Sequence, residues 1–394
     1  MSAGADSGRW ADVKERGHYW GMALLVMLYR VFGRWLLYPL VGVVVTYFFL
    51  TRRATRRYSA LYLRRVLGRR VRLWDVWRHH LAFGASLMDR IAAWMGRITR
   101  ADVAFEGHFT MLELARSKRG AVLLGAHFGV LEMCRAVVEN DKSLKLNVIV
   151  HDQNTRKFNR VMARVNRQSQ VRVIPVQEIT PATAIHLRER LDEGEFVILL
   201  ADRLPPGNVT RTLSAPFLAP DDGGSLGPSG FTAEGSYVAQ GSSVAQGCSS
   251  VAQGCSSAQG CSSAQGCNSA QGCNSAQGCA SDAPDRFVVQ WPAGPFWLAL
   301  MLGAPVYFIA ACHTGFGYQA TLKLLYEGGK VARREREAKC YALLQDYIQV
   351  LEKLCRRHPY QWFNFYDFWG DDAHIGQAGS SKNSNDRITQ DSQP

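Results

Sequence analysis

Two side chains in the segment Gly120-Ala-Val-Leu-Leu-Gly-Ala-His127-Phe-Gly-Val-Leu-Glu132 have the types and spacing for proton transfer. A neutral imidazole takes a proton from a hydroxyl, and a carboxylate on its other ring nitrogen fixes the tautomer and stabilises the imidazolium that forms. The aliphatic run before His127 predicts a buried strand with the histidine at its exposed end, and Glu132 falls where a helix would start. Spacing alone is a weak signal. With ten His and 33 Asp and Glu among 394 residues, about one His-x-x-x-x-acid pair arises by chance. A second copy does occur, at His108-Phe-Thr-Met-Leu-Glu113. No hydrophobic strand precedes it, and Met111, Leu112, Leu114 and Ala115 give it the pattern of an amphipathic helix entry with His108 and Glu113 on the solvated side. Context therefore assigns the chemistry to His127 and Glu132.

The elements that must position this pair follow from periodicity. Strands are expected at 121–125, 146–150, 171–174, 196–201, 287–290 and 305–311, and helices at 128–139, 155–166, 181–192, 294–302 and 332–356. Residues 73–98 carry helical spacing through Leu73, Trp77, Leu81, Leu87, Ile91 and Trp94. Apolar strands alternating with amphipathic helices predict an α/β fold, a mixed and largely parallel sheet flanked by helices. Ligands in such sheets bind beyond the carboxyl ends of strands. Position 127 is one such end, and Ala201-Asp202-Arg203 is another.

Charge is concentrated at one end of the chain. Residues 1–100 hold 18 Lys and Arg against 5 Asp and Glu, a surplus equal to the +13 of the whole protein. Nucleic acid or an anionic membrane would suit such a region, and hydrophobicity favours the membrane. Residues 20–29 are apolar throughout, and after Arg30 and Arg34 the run WLLYPLVGVVVTYFFL, 35–50, is uncharged. Sixteen residues fall short of the roughly 20 that span a bilayer, and Pro39 and Gly42 interrupt them. A hydrophobic amino-terminal membrane anchor is expected, as a tilted span, a re-entrant hairpin or a monotopic element, with a buried core helix as the other reading. Arg52, Arg53, Arg56, Arg57, Arg64, Arg65, Arg69 and Arg70 follow, which places the rest of the chain on the cytoplasmic side. The first 19 residues are polar and carry Asp6, Asp12 and Glu15, unlike a cleavable signal peptide. The aromatic stretch 360–369 has no basic residues beyond Arg356 and Arg357 before it, so nucleic-acid binding is not expected.

Ten cysteines are present. Cys134, Cys312, Cys340 and Cys355 lack metal-like spacing and read as unpaired thiols of a reducing compartment. Cys248, Cys255, Cys261, Cys267, Cys273 and Cys279 recur inside Ser-Ala-Gln-Gly-Cys repeats. That tract has no His, no acid and no Cys-x-x-Cys, so it reads as a flexible insert in a surface loop, where added length costs little closure entropy. The predicted organisation is an anchor with a basic flank over 1–72, a catalytic domain over 73–369 interrupted by the insert 221–284, and a disordered tail over 370–394.

The motifs together resemble a known family. Ala126-His127-Phe128-Gly129-Val130-Leu131-Glu132 is similar to the catalytic block of the bacterial late lipid A biosynthesis acyltransferases, within the lysophospholipid acyltransferase-like superfamily. Phe196-Val-Ile-Leu-Leu-Ala-Asp-Arg203 resembles the family's second strand block, and Ala215-Pro-Phe-Leu218 its small hydrophobic motif. Trp291-Pro-Ala-Gly-Pro295 with Gly303-Ala-Pro-Val306 resembles its Gly-Pro turn, helix and strand. Pro359-Tyr-Gln-Trp-Phe-Asn-Phe365 resembles its Gln-Trp-Phe signature. The Asn-Trp pair common before the acid is Val130-Leu131 here, and the carboxy-terminal spelling is similar to the aryl polyene-associated acyltransferases.

The resemblance implies an acyltransferase that moves an acyl group from an acyl carrier protein thioester, or from acyl-CoA, to a hydroxyl of a glycolipid or lysolipid at the cytoplasmic face of the bacterial inner membrane. His127 would be the general base and Glu132 its orienting acid. The Gly129 amide and Arg203 would stabilise the oxyanion, although Arg203 could instead pair with Asp202 or Asp221. Arg156 and Arg160, one helical turn apart, would meet lipid phosphates or carrier-protein acids, or form a solvated face. No metal and no cofactor is implied. A lipid esterase or thioesterase and a non-catalytic membrane scaffold of the same fold are the alternatives; the absence of a Gly-x-Ser-x-Gly elbow argues against a serine hydrolase.

Overall fold

The computed structural model describes residues 19–106, 116–133, 144–150, 171–176, 179–204, 211–219, 287–315 and 317–370, with 110, 113 and 114. All of these belong to the compact unit formed by Met1–Pro220 and Pro284–Pro394. His108, Cys134, Arg156, Arg160, Asp221, the repeat insert and the tail beyond 370 lie outside the described residues.

Three helices come first: α1 (Tyr19–Thr51), α2 (Arg53–Leu67) and α3 (Leu73–Trp94). Strands β1 (Val103–Glu106), β2 (Val122–Gly129), β3 (Leu146–Val150) and β4 (Val171–Pro175) follow, then α4 (Pro181–Asp192), β5 (Phe196–Leu200), β6 (Thr212–Pro216) and β7 (Val288–Pro292). The chain closes with α5 (Ala293–Leu302), β8 (Val306–His313), β9 (Tyr318–Tyr326) and α6 (Arg336–Arg357). Among the described residues seven strands make one sheet in the order β1-β9-β8-β2-β5-β3-β4, with every pairing parallel except β8 against β9. Strands β6 and β7 form a separate antiparallel pair.

The two-residue alternation of a strand explains why the central strands are apolar throughout. Side chains at even positions of β2 and at the matching parity of β5 and β8 (Val122, Leu124, Val197, Leu199, Val306, Phe308) enter one core, which is filled from α2, α5 and α6 by Tyr62, Phe296 and Tyr347. The alternate residues (Leu123, Phe196, Ile198, Ile309, Ala311) enter a second core, closed by Tyr29 and Leu37 of α1 and Met88 and Ile91 of α3. Both faces of the sheet are covered, as a parallel sheet requires. A central strand such as β2, with residues 122–126 all buried, is the result.

Helix α1 is interrupted along its apolar length. Gly33 breaks it with φ of 66°, Pro39 lies within it, and Arg30 and Arg34 divide its apolar length. Among the described residues no helix is long and apolar enough to cross a membrane, so the spanning form of the expected anchor is not found there. One side of α1 packs on α3 instead. Gly84 permits the close approach, because a Cβ there would lie 2.5 Å from Val45 Cγ2 and 2.8 Å from Val41 Cγ1. Trp77 Nε1 donates to Thr46 Oγ1 at 3.0 Å across the same contact.

Other differences from the sequence expectation are local. Strand β2 runs four residues past the expected end at 125, so Phe128 and Gly129 are strand rather than helix. Strands β1, β6 and β9 are additional. The last shows why: Gln319, Thr321 and Lys323 face partly outward on a strand next to the sheet edge, where the apolar signal is diluted. Of the cysteines, Cys312, Cys340 and Cys355 are buried free thiols. Burial pushes Cys312 up to about 11 and Cys340 up to about 12, so both stay protonated at neutral pH.

Candidate active site

The end of β2 builds the site. Up to Gly125 the strand pairs in register with β5 and β8, and the register with β8 then shifts before Gly129 meets Ala311. The segment after α6 occupies the released edge. Phe128 bridges antiparallel to Trp362, the Phe363 amide donates to the His127 carbonyl at 3.1 Å, and the Gly129 amide donates to the Gln361 carbonyl at 2.6 Å. Gly129 has φ of 60°, and a Cβ there would run into the Ala311 carbonyl, so the turn after the strand requires glycine.

His127 is oriented by Asp202, the second residue beyond β5. Nδ1 of the imidazole lies 2.8 Å from Asp202 Oδ1, and the His127 backbone amide donates to Oδ2 at 2.9 Å. Trp362 Nε1 donates to the same Oδ2 at 3.1 Å. Asp202 is fully buried, whereas a third of the His127 side chain reaches the surface. Burial would raise the Asp202 carboxyl, but the charge and hydrogen bonds of His127 outweigh it, and Asp202 is held down at about 2. An ionised carboxylate only accepts, so Nδ1 of His127 carries the proton and Nε2 presents its lone pair. Burial, then the nearby Arg203 charge, lowers the His127 imidazole against the opposing pull of Asp202. Both effects leave a neutral imidazole at pH 7.

Glu132 is not on His127. It lies past the glycine turn, where its Oε1 is 2.8 Å from Arg90 Nε of α3; its Oε2 is buried with no hydrogen-bond partner among the described residues. Arg90 in turn is close enough for its charge to act on His127. Glu132 therefore neutralises a cation beside the site, and Asp202 does the orienting that spacing assigns to Glu132. The Gly129 amide is spent on Gln361, and the Val130 amide donates to Ala311 at 2.7 Å, which removes Gly129 as an oxyanion donor. Arg203 lies near the pair, close enough for its charge to act on His127. Its Nη2 donates to the Phe363 carbonyl at 2.6 Å and its guanidinium lies 5.4 Å from the Tyr366 ring centroid. It makes no salt bridge with Asp202 within 4.0 Å among the described residues. Arg156 and Arg160 lie outside the described residues.

Sequence reasoning misses Asp202, Trp362 and Arg90 as members of the site. A signal for Asp202 is present, since it stands at the second strand end. Trp362 belongs to the Gln-Trp-Phe block, but nothing in its spelling says that its indole meets a carboxylate 160 positions earlier. Arg90 is one basic residue on an amphipathic helix.

The arrangement is a partly exposed imidazole with a fixed tautomer, close enough to Arg203 and Arg90 for their charges to act on it. It suits deprotonation of a hydroxyl or of water. No curated protein matches the chain. Residues 74–232 match the family described as bacterial lipid A biosynthesis acyltransferase, and His127, Glu132, Asp202, Arg203 and Arg90 all lie inside that stretch. Over this stretch the chain is similar to the bacterial lipid A biosynthesis acyltransferase family.

Proposed function

We propose that the protein transfers an acyl group from a thioester of acyl carrier protein, or of coenzyme A, to a hydroxyl of a membrane glycolipid or lysolipid. The observation that carries this reading is the His127–Asp202 pair, with Nε2 of His127 free of any hydrogen-bond partner among the described residues. Nε2 takes the hydroxyl proton as the oxygen attacks the thioester carbonyl carbon. A C–O bond forms, and the carbonyl oxygen becomes the oxyanion of a tetrahedral intermediate, with Arg203 as the cation that meets it. Collapse breaks the C–S bond, and the leaving thiolate takes the proton from the imidazolium. Ester and free thiol are the products, and no acyl-enzyme is required because the thioester is already activated. The Val130-Leu131 pair and the carboxy-terminal spelling extend the acceptor class from lipid A-type glycolipids to aryl polyene lipids.

The site of action in this proposal is the cytoplasmic face of the bacterial inner membrane, with α1–α3 lying on the bilayer surface. On the side of α1 turned away from α3, Leu40, Val43, Val44, Tyr47, Phe48 and Leu50 are exposed, as are Leu73 and Trp74 at the start of α3. Arg52, Arg53, Arg57, Arg64, Arg69, Arg70 and Arg72 are exposed beside them. An apolar stripe bordered by arginines is the composition of a helical layer that rests in an anionic interface.

The test uses the full-length protein in detergent with acyl carrier protein bearing a labelled fatty acyl group and extracted bacterial lipids. Label should move to lipid with wild-type protein and not with His127→Ala. Release of labelled free acid without a lipid product would favour a hydrolase, and no turnover with either would favour a scaffold.

A further inference from the structure

A histidine that the chemistry above does not use is built into the support of the site. His79 of α3 is fully buried. Its Nδ1 lies 2.8 Å from Ser59 Oγ of α2, and its Nε2 lies 2.9 Å from the backbone carbonyl of Trp362. A carbonyl can only accept, so Nε2 carries the proton and Nδ1 accepts from the Ser59 hydroxyl. The ring stacks on Phe365, with centroids 4.7 Å apart, and lies 5.4 Å from the Tyr62 ring. Burial drives the imidazole down to about 3, so it is neutral at any working pH.

A phenylalanine would fill this aromatic pocket without a buried polar atom to satisfy. What the imidazole adds is a directed hold on one peptide, and that peptide is the hub of the site. The carbonyl of Gln361 receives the Gly129 amide, the amide of Phe363 donates to the His127 carbonyl, and the indole of Trp362 itself holds Asp202 Oδ2. The path Ser59, His79, Trp362, Asp202, His127 is continuous, and each link is a hydrogen bond of 2.8 to 3.1 Å.

We infer that His79 is a positioning residue for acyl transfer: with its tautomer set by Ser59, it fixes the Trp362 peptide so that the indole N–H holds Asp202 on His127. This rests on the acyl-transfer reading above. The role acts on the turnover step, since an unclamped Asp202 lets the imidazole rotate or change tautomer while the acceptor and donor surfaces stay in place.

The experiment measures kcat and KM in the full-length protein for His79→Phe, His79→Gln and Ser59→Ala, with thermal unfolding of each and His127→Ala in the same assay. His79→Phe keeps the ring and loses both hydrogen bonds. It should lower kcat by about ten- to a hundredfold, the scale on which outer supporting partners act, with KM within about twofold. His79→Gln can donate to Trp362 and accept from Ser59, and should recover most of the rate. Unchanged kcat in His79→Phe, or a loss that follows the folded fraction with no recovery in His79→Gln, overturns the inference. If His79→Phe does not fold, Ser59→Ala decides, because it removes one oxygen only: a fall in kcat supports the role and an unchanged kcat overturns it. Activity lost in His127→Ala but kept in His79→Phe removes His79 alone, whereas activity unaffected by His127→Ala removes the acyl-transfer reading itself.

Discussion

At the scale of single residues, the proposed chemistry depends on which acid serves His127. Two carboxylates are near the end of β2, and they have different partners: Asp202 is buried with three donors on it, and Glu132 is paired with Arg90. Asp202→Asn would present an amide where an acceptor is needed and favour the wrong imidazole tautomer, a change that costs about 10⁴-fold in kcat in a Ser-His-Asp triad. A loss of roughly 10³-fold or more is expected here from steady-state kinetics. Glu132→Gln should cost far less, and the reverse ranking would return the orienting role to Glu132. The pH profile follows from the same environment. A base works deprotonated, and burial together with Arg203 holds His127 below the ordinary imidazole value of about 6.5. The acidic limb of kcat/KM should therefore have its midpoint below that value, with activity lost as pH falls through it. Arg203→Ala, by removing one depressing charge, should move the midpoint upward.

At the scale of elements, the carboxy-terminal segment is what joins the helical layer to the sheet, and Asp75 fastens it. Its carboxylate accepts from Nη1 and Nη2 of Arg69 at 2.9 and 2.8 Å, from the Arg72 amide at 2.9 Å and from the Tyr360 hydroxyl at 2.9 Å. The Arg69 contact, first among these, holds the carboxyl well below its usual range. A depressed carboxyl contributes stability above its unfolded pKa and loses it as pH falls, so Asp75→Asn should lower Tm by a few degrees at neutral pH, with the gap to wild type narrowing toward pH 3. A constant gap across that range would contradict the assignment.

The elements also show what a sequence can and cannot reveal. Strand β2 and the histidine at its end are legible because a buried parallel strand must be apolar, and α4 is legible because Thr180 caps it and Pro181 starts it. Asp202 as the orienting acid is not legible from spacing. The glycine turn at 129 sends Glu132 toward α3, and the partner of His127 arrives on a neighbouring strand 75 positions later. Pairing of that kind is set by sheet order, which short-range periodicity does not contain.

At the scale of the whole molecule, charge and apolar exposure coincide on one side of the fold. The net charge of +13 is carried by the first 100 residues, and the exposed stripe of α1 lies among them, with Val43 68% exposed and Tyr47 62% exposed. Full-length protein should sediment with vesicles containing about 30% anionic phospholipid, release as salt rises, and bind poorly when Val43→Asp and Trp74→Asp are combined. Equal binding of the variant would show that this side does not carry the contact. A surface-bound layer of this kind would bring the His127 site to acceptor lipids while the donor arrives from solution.

The claim that His127 performs acyl transfer to lipid is tested most directly by mass spectrometry of lipids from cells that express wild-type protein or His127→Ala at equal levels. A lipid species heavier by one acyl group is expected with the wild type alone. Identical lipid profiles in the two strains, with both proteins folded, would contradict it.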